Sequence, residues 1–254
     1  MIRSIGIISV LFLMSFPVYS GCKKGASALS TKDSVPAGPR IITFAGYEWE
    51  VRSSLPEKQG PGPNYFSDAE ENVWVDNEGK LHLRITHQNG KWYCAGITLT
   101  KSYHYGRYIF QTDSRVDSLD KNVVGGLFIY KNDEQEVDVE FSKWSKEENQ
   151  DAQFVVQPGD QNGNKERFPL DLDGKTSTHW FNWQQDRIEF ASFRGALKDT
   201  ALAGNSIHKW VYTGSSIPPD TDEKVKINLW LFKGVPPADL KEAEMVLSGF
   251  RILE

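Results

Sequence analysis

The chain has 254 residues, 39% hydrophobic and 25% charged, a globular balance that excludes disorder, collagen and coiled coil as its overall class. Net charge is −5 and no basic cluster is visible, which argues against a nucleic-acid partner. Two cysteines make no disulfide scaffold, and five scattered histidines offer neither an H-E-x-x-H nor a C-x-x-C spacing, so no metal ligand is assigned.

The first element is an export segment. Arg3 precedes an apolar run from Ile5 to Phe16. That run is too short for a ~30 Å hydrocarbon core, so residues 1–21 read as a signal peptide and not a span. Tyr19-Ser20-Gly21-Cys22 resembles the lipobox of bacterial lipoproteins, with Tyr19 at the usual Leu. The resemblance implies acylation of Cys22 and export to the periplasm or cell surface. Membrane contact would then run only through that lipid anchor. Residues 22–40 are rich in Gly, Ala, Ser, Lys and Pro without periodicity, a flexible tether.

From Ile41 onward short apolar runs recur about every ten residues. Leu81-His82-Leu83-Arg84-Ile85 alternates, as do Tyr108–Gln111, Val137–Phe141 and Arg187–Phe190. Asn77-Glu78-Gly79, Asn89-Gly90, Tyr105-Gly106, Asp173-Gly174 and Pro218-Pro219 punctuate them. Many short strands at this spacing predict an all-β antiparallel sandwich over 41–254, one domain, with no repeat and a monomer expected. Ala238–Val246 is the one short helical candidate. Trp180 and Trp183 are assigned to the core.

The informative segment is Glu136-Val137-Asp138-Val139-Glu140-Phe141. Alternate side chains of a strand share a face, so Glu136, Asp138 and Glu140 line one side and the apolar residues the other. Like charges this close disfavour joint ionisation and raise at least one pKa. Glycoside hydrolysis needs such a pair, one carboxylate and one acid. Glu136 and Glu140 lie about 13 Å apart at Cα, at ~3.3 Å per residue. The carboxyl separation, roughly 5–5.5 Å for retention or 6.5–9.5 Å for inversion, stays open from sequence.

E-V-D-V-E-F resembles the catalytic strand of glycoside hydrolase family 16, the laminarinases and lichenases, usually E-I-D-I-E-F. Further motifs follow in the family's order: Gly96 with Tyr105-Gly106-Arg107-Tyr108, Gly126-Leu127-Phe128-Ile129-Tyr130, and His179 through Ile188. Ile227-Asn228-Leu229-Trp230 and Ser248-Gly249-Phe250-Arg251-Ile252 complete the set. The resemblance implies a β-jelly roll of two curved antiparallel sheets with a concave carbohydrate groove, similar to concanavalin A. It implies retention, with Glu136 as nucleophile, Glu140 as acid/base and Asp138 tuning Glu136. The substrate would be a polysaccharide, first a β-1,3-glucan, cut at internal bonds. A transglycosylase or a non-catalytic carbohydrate-binding lipoprotein are the alternatives on the same fold. No cofactor is expected; a structural calcium occurs in the family, without an assignable ligand set here.

The resemblance also offers groove residues: Phe128 and Tyr130, which share parity; Asn228 and Trp230; Trp144; and Asn64 in the loop Pro61–Tyr65. Gly96 and Thr98 stand where lichenases carry Glu and Arg, Ser142-Lys143-Trp144 lacks the family's Gly, and Ser192-Phe193-Arg194-Gly195 replaces Y-V-D-G. These departures put mixed-linkage glucan specificity in doubt.

Overall fold

The computed structural model describes residues 38–197 and 205–253. The export segment and Cys22 lie outside the described residues. Among those described, sixteen strands carry the fold. The first six are β1 (Ile41–Phe44), β2 (Tyr47–Val51), β3 (Tyr65–Phe66), β4 (Val73–Val75), β5 (Leu81–Gln88) and β6 (Lys91–Leu99). Then come β7 (Gly106–Asp113), β8 (Val123–Asn132), β9 (Gln135–Phe141), β10 (Ala152–Val156) and β11 (Lys165–Phe168). The last five are β12 (Thr176–Trp183), β13 (Ile188–Arg194), β14 (Ser206–Tyr212), β15 (Lys224–Leu231) and β16 (Ala243–Leu253).

They form two antiparallel layers. One runs β11-β10-β9-β8-β15-β6-β2-β1 and the other β14-β13-β12-β7-β16-β5-β4. The β5–β6 hairpin bridges the layers, pairing Thr86, His87 and Gln88 with Tyr93, Trp92 and Lys91. Its two loop residues, Asn89 (φ 50°) and Gly90 (φ 75°), are both left-handed, the backbone a tight primed hairpin turn needs.

Period-two alternation supplies the core. Val137, Val139 and Phe141 of β9 are fully buried. Phe141 meets the His179 ring of β12 at 4.7 Å, Phe154 of β10 meets Phe190 of β13 at 5.0 Å, and Trp49 of β2 meets Phe250 of β16 at 5.1 Å. The apolar face of the first layer therefore packs on the second, each large side chain contributing about 1.5–3 kcal/mol. His179 is enclosed there between Ser177 Oγ (2.7 Å) and Ser192 Oγ (2.8 Å), and burial pushes its pKa down to about 3, so it stays neutral. The fold is the jelly-roll sandwich expected from the sequence.

Two details differ from the reading by pattern. Ala238–Val246 is not helical: residues from Ala243 belong to β16, with Met245 and Leu247 buried against β5. Pairing with a waiting edge overrides a weak local preference. Trp183 lies in the main core as expected, while Trp180 packs in a separate small cluster with Ile109, Ala191, Phe193 and Leu197.

Candidate active site

The register of the first layer assembles the site. Glu140 stands opposite Gly126 of β8 and Gln153 of β10; Gly126 faces Asn228 of β15, which faces Gly96 of β6. One step along, Asp138 faces Phe128, then Lys226, then Thr98. The next step pairs Glu136 with Tyr130. Directly opposed residues share a sheet face, so these rows all look away from the core, on the side that bears the carboxylates. Asn228 is seated against Gly96: a Cβ added there would collide with its Oδ1.

Each carboxylate has a distinct environment. Asp138 is 3% exposed. Gln157 Nε2 donates to Asp138 Oδ2 at 3.0 Å, while Gln157 Oε1 accepts the Gly159 N–H at 2.6 Å. The backbone donor fixes the amide's orientation, because an N–H can meet only the oxygen. Burial, then the charges of Glu136 and Glu140, push the Asp138 pKa well up. Asp138 thus keeps its proton and gives it to a hydrogen bond with Glu136. Burial also raises Glu136, to about 7, against the lowering effect of that hydrogen bond; the Glu140 charge adds to the rise and the Lys226 charge opposes it.

Glu140 accepts from Gln153 Nε2 at 2.6 Å, and Arg167 Nε donates to Gln153 Oε1 at 2.9 Å. Arginine cannot accept, so the amide has one orientation, with its donor on Glu140. Burial raises the Glu140 pKa; the Gln153 hydrogen bond and the charges of Lys165 and Arg167 counter it. The three carboxyls titrate as one interacting set. A carboxyl raised toward its acid form, a second carboxyl beside it and a buried hydrogen-bonding partner between them are what nucleophilic attack and leaving-group protonation at an acetal carbon require.

A cavity of about 390 Å³ opens beside Glu136, lined by Phe128, Tyr130, Asn228, Lys226 and Arg52 among others. The structure thus brings together the expected Glu136, Phe128, Tyr130 and Asn228. Phe128 is 7% exposed and packs edge-on against Tyr130, with ring centres 6.4 Å apart. Trp230 is half-buried on the same strand parity as Asn228 and tilts against Phe232, outside this cavity. Trp144 also lies outside it: Arg167 covers its ring at 4.4 Å, so it backs the residue that orients Gln153. Asn64 departs from the expectation of sugar contact. Its Nδ2 donates to Pro61 O and Leu231 O, both at 2.8 Å, and it is 3% exposed. A side chain spent on two backbone carbonyls clamps the Gly60–Pro61 rim and has no donor left for a ligand.

Five residues of the site were missed in the sequence: Gln153, Gln157, Arg167, Arg52 and Lys226. Lys226 carried a usable signal, two residues before Asn228 on one strand and hence on its face. The other four belong to strands and loops whose pairing with β9, β10 and β6 has no local mark.

No protein-family model and no curated protein matches the sequence. Solved structures do match. A β-glucanase from Bacillus licheniformis superposes with a TM-score of 0.63 at 18% identity, covering 86% of this chain and 99% of that one. A prokaryotic β-1,3-1,4-glucanase (lichenase) from a mouse hindgut metagenome gives 0.57 at 16%, covering 80% and 92%. A β-1,3-glucanase from Mycobacterium marinum gives 0.59 at 16%, covering 81% and 90%. At these identities the likeness is one of fold: this chain has the jelly roll of the β-glucanases, the type of glycoside hydrolase family 16.

Proposed function

We propose that the protein is a retaining glycoside hydrolase that cuts internal β-glycosidic bonds of a polysaccharide. The observation that carries this is the set of three carboxyls on one strand of the open sheet face, each in a different environment: Asp138 buried against Gln157, Glu136 at the cavity, and Glu140 under the Gln153 donor. The shared fold with structures named as glucanases supports it.

In this reading Glu136, ionised and steadied by the Asp138 proton, attacks the anomeric carbon. Glu140 delivers its proton to the leaving oxygen. The Gln153 donor then stabilises the carboxylate left behind, and that carboxylate later takes a proton from the incoming water, so attack occurs twice on the same carbon and configuration is retained.

The test is a polysaccharide panel that includes β-1,3- and β-1,3-1,4-glucans, with reducing ends counted and the anomer of the first product read by proton NMR. A β product supports the proposal; an α product refutes retention. Binding without any new reducing ends refutes hydrolysis and favours the carbohydrate-binding alternative. Longer products in place of free ends identify a transglycosylase.

The Gly96–Asn228 contact gives a further expectation. Gly96→Ala forces the Asn228 amide off its seat beside the cavity. On a substrate from the panel, kcat/KM should fall about tenfold, a loss of ~1.4 kcal/mol in transition-state binding. Unchanged kinetics would remove Asn228 from the site.

A further inference from the structure

The cavity beside Glu136 contains two cations that the hydrolytic reading does not use. Arg52 and Lys226 both line it, and both are half-buried. Among the described residues neither forms an ion pair. Arg52 donates one Nη2 bond, to Gly60 O, and lays its guanidinium on the Phe66 ring at 3.7 Å. The Lys226 ammonium makes no hydrogen bond among the described residues; it stands over the Tyr130 ring at 3.8 Å.

The contrast with a surface lysine is direct. Lys131, exposed at the end of β8, pairs with Asp222 at 2.7 Å. Withdrawing a charge from water without an ionic partner is costly. The two cations also repel: burial lowers the pKa of each, and the Arg52 charge lowers Lys226 further. Two acids face the same space. Asp133 takes the Tyr130 hydroxyl at 3.0 Å, and Glu136, raised by burial to about 7, carries part of its charge near pH 7; both offset the lowering of Lys226 without outweighing it. The ionisable groups nearest in effect to Arg52 are Cys94 and Tyr130, both uncharged near pH 7. The pocket therefore offers a planar five-donor guanidinium and an ammonium, both short of anionic partners. That is the chemistry of carboxylate or sulfate recognition.

Register sets the distance to the reaction. Lys226 lies two strands from Asp138, by way of Phe128, about 10 Å at ~4.8 Å per strand. An anion held there sits on a sugar near the cleavage point.

We propose that the groove binds an anionic glycan, with Arg52 and Lys226 holding a sulfate ester or carboxylate on a sugar next to the scissile bond. Only the position next to a scissile bond rests on the hydrolase reading; the anion binding is independent of turnover. It is tested on Glu136→Gln, which prevents cleavage during titration. That protein is titrated with a sulfated galactan, the same polymer after desulfation, a polyuronate, and neutral β-1,3- and β-1,3-1,4-glucans. Lys226→Met and Arg52→Met are added to this background, with Lys131→Met as the surface-charge control.

At least one anionic polymer should bind tenfold or more tightly than the neutral glucans. Lys226→Met and Arg52→Met should each cost that affinity about tenfold, and Lys131→Met should leave it unchanged. The melting temperature of Lys226→Met should hold or rise, since an unpaired buried charge is removed. Tight binding to the sulfated galactan that vanishes on desulfation selects sulfate; preference for the polyuronate selects carboxylate. Neutral glucans bound as tightly as both anionic polymers would overturn the proposal, as would cavity variants no worse than Lys131→Met. A neutral glucan cut with retention by the wild type, with no anionic polymer bound, sinks the anion site and leaves the hydrolase standing. Anionic binding of the expected pattern with no cleavage by the wild type does the reverse.

Discussion

Glu136→Ala is expected to abolish retaining turnover, and Glu140→Ala to slow it by ~10²–10⁴-fold, the range of general acid–base assistance. The two losses differ in kind. Without Glu136 no covalent intermediate forms. Without Glu140 the intermediate forms when the leaving group needs no proton, and then waits, because water has lost its base. Azide needs no deprotonation. In Glu140→Ala it should attack the intermediate and give the β-glycosyl azide, restoring rate with an activated aryl glycoside. In Glu136→Ala it should attack the substrate directly and give the α-azide. Proton NMR of the anomeric signals distinguishes them. Swapped anomers reverse the assignment. The Gln153 contact adds a graded check: it holds Glu140 at 2.6 Å, so Gln153→Leu should lower kcat on a poor leaving group more than on a good one.

The second large effect is on stability, and its sign follows from burial. Folding raises the Glu136 pKa from the usual 4.5 to about 7, so the folded chain holds this proton more tightly than the unfolded chain. The resulting stability is fully present below about pH 4.5, drains away as pH rises toward about 7, and is gone above it. The span corresponds to at most ~3.5 kcal/mol, and water in the adjoining cavity screens part of it. Glu136→Gln has no proton to lose. At pH 8 it should melt several degrees above wild type, at roughly 2–4 °C per kcal/mol for a domain of this size. At pH 4 the two should coincide. Asp138 is raised in the same direction, chiefly by burial, so Asp138→Asn should behave alike. Equal melting curves at pH 8 would show that the carboxyl is solvated in the folded state.

Some of this protein was legible in the sequence because the property is local. A strand has a period of two, so E-V-D-V-E-F by itself placed Glu136, Asp138 and Glu140 on one face and Val137, Val139 and Phe141 in the core. Parity likewise put Phe128 with Tyr130, and Asn228 with Trp230. Asn89-Gly90 announced its hairpin because few other residues tolerate two left-handed positions in succession.

What surrounds those faces was decided by tertiary structure. Gln153 and Gln157 reach the carboxylates only because β10 pairs with β9 in one register; a slip of one residue would turn Gln153 into the core. Arg52 and Lys226 meet in one cavity because β2 and β15 pair with the two sides of β6, bringing distant parts of the chain together. Asn64 was drawn away from the groove by two carbonyls, one of them 167 residues distant in sequence. The stretch around Ala243 became a strand because β5 offered an edge to pair with. Periodicity tells a residue which side it faces; the partner on that side is chosen by register between strands, which no single segment encodes.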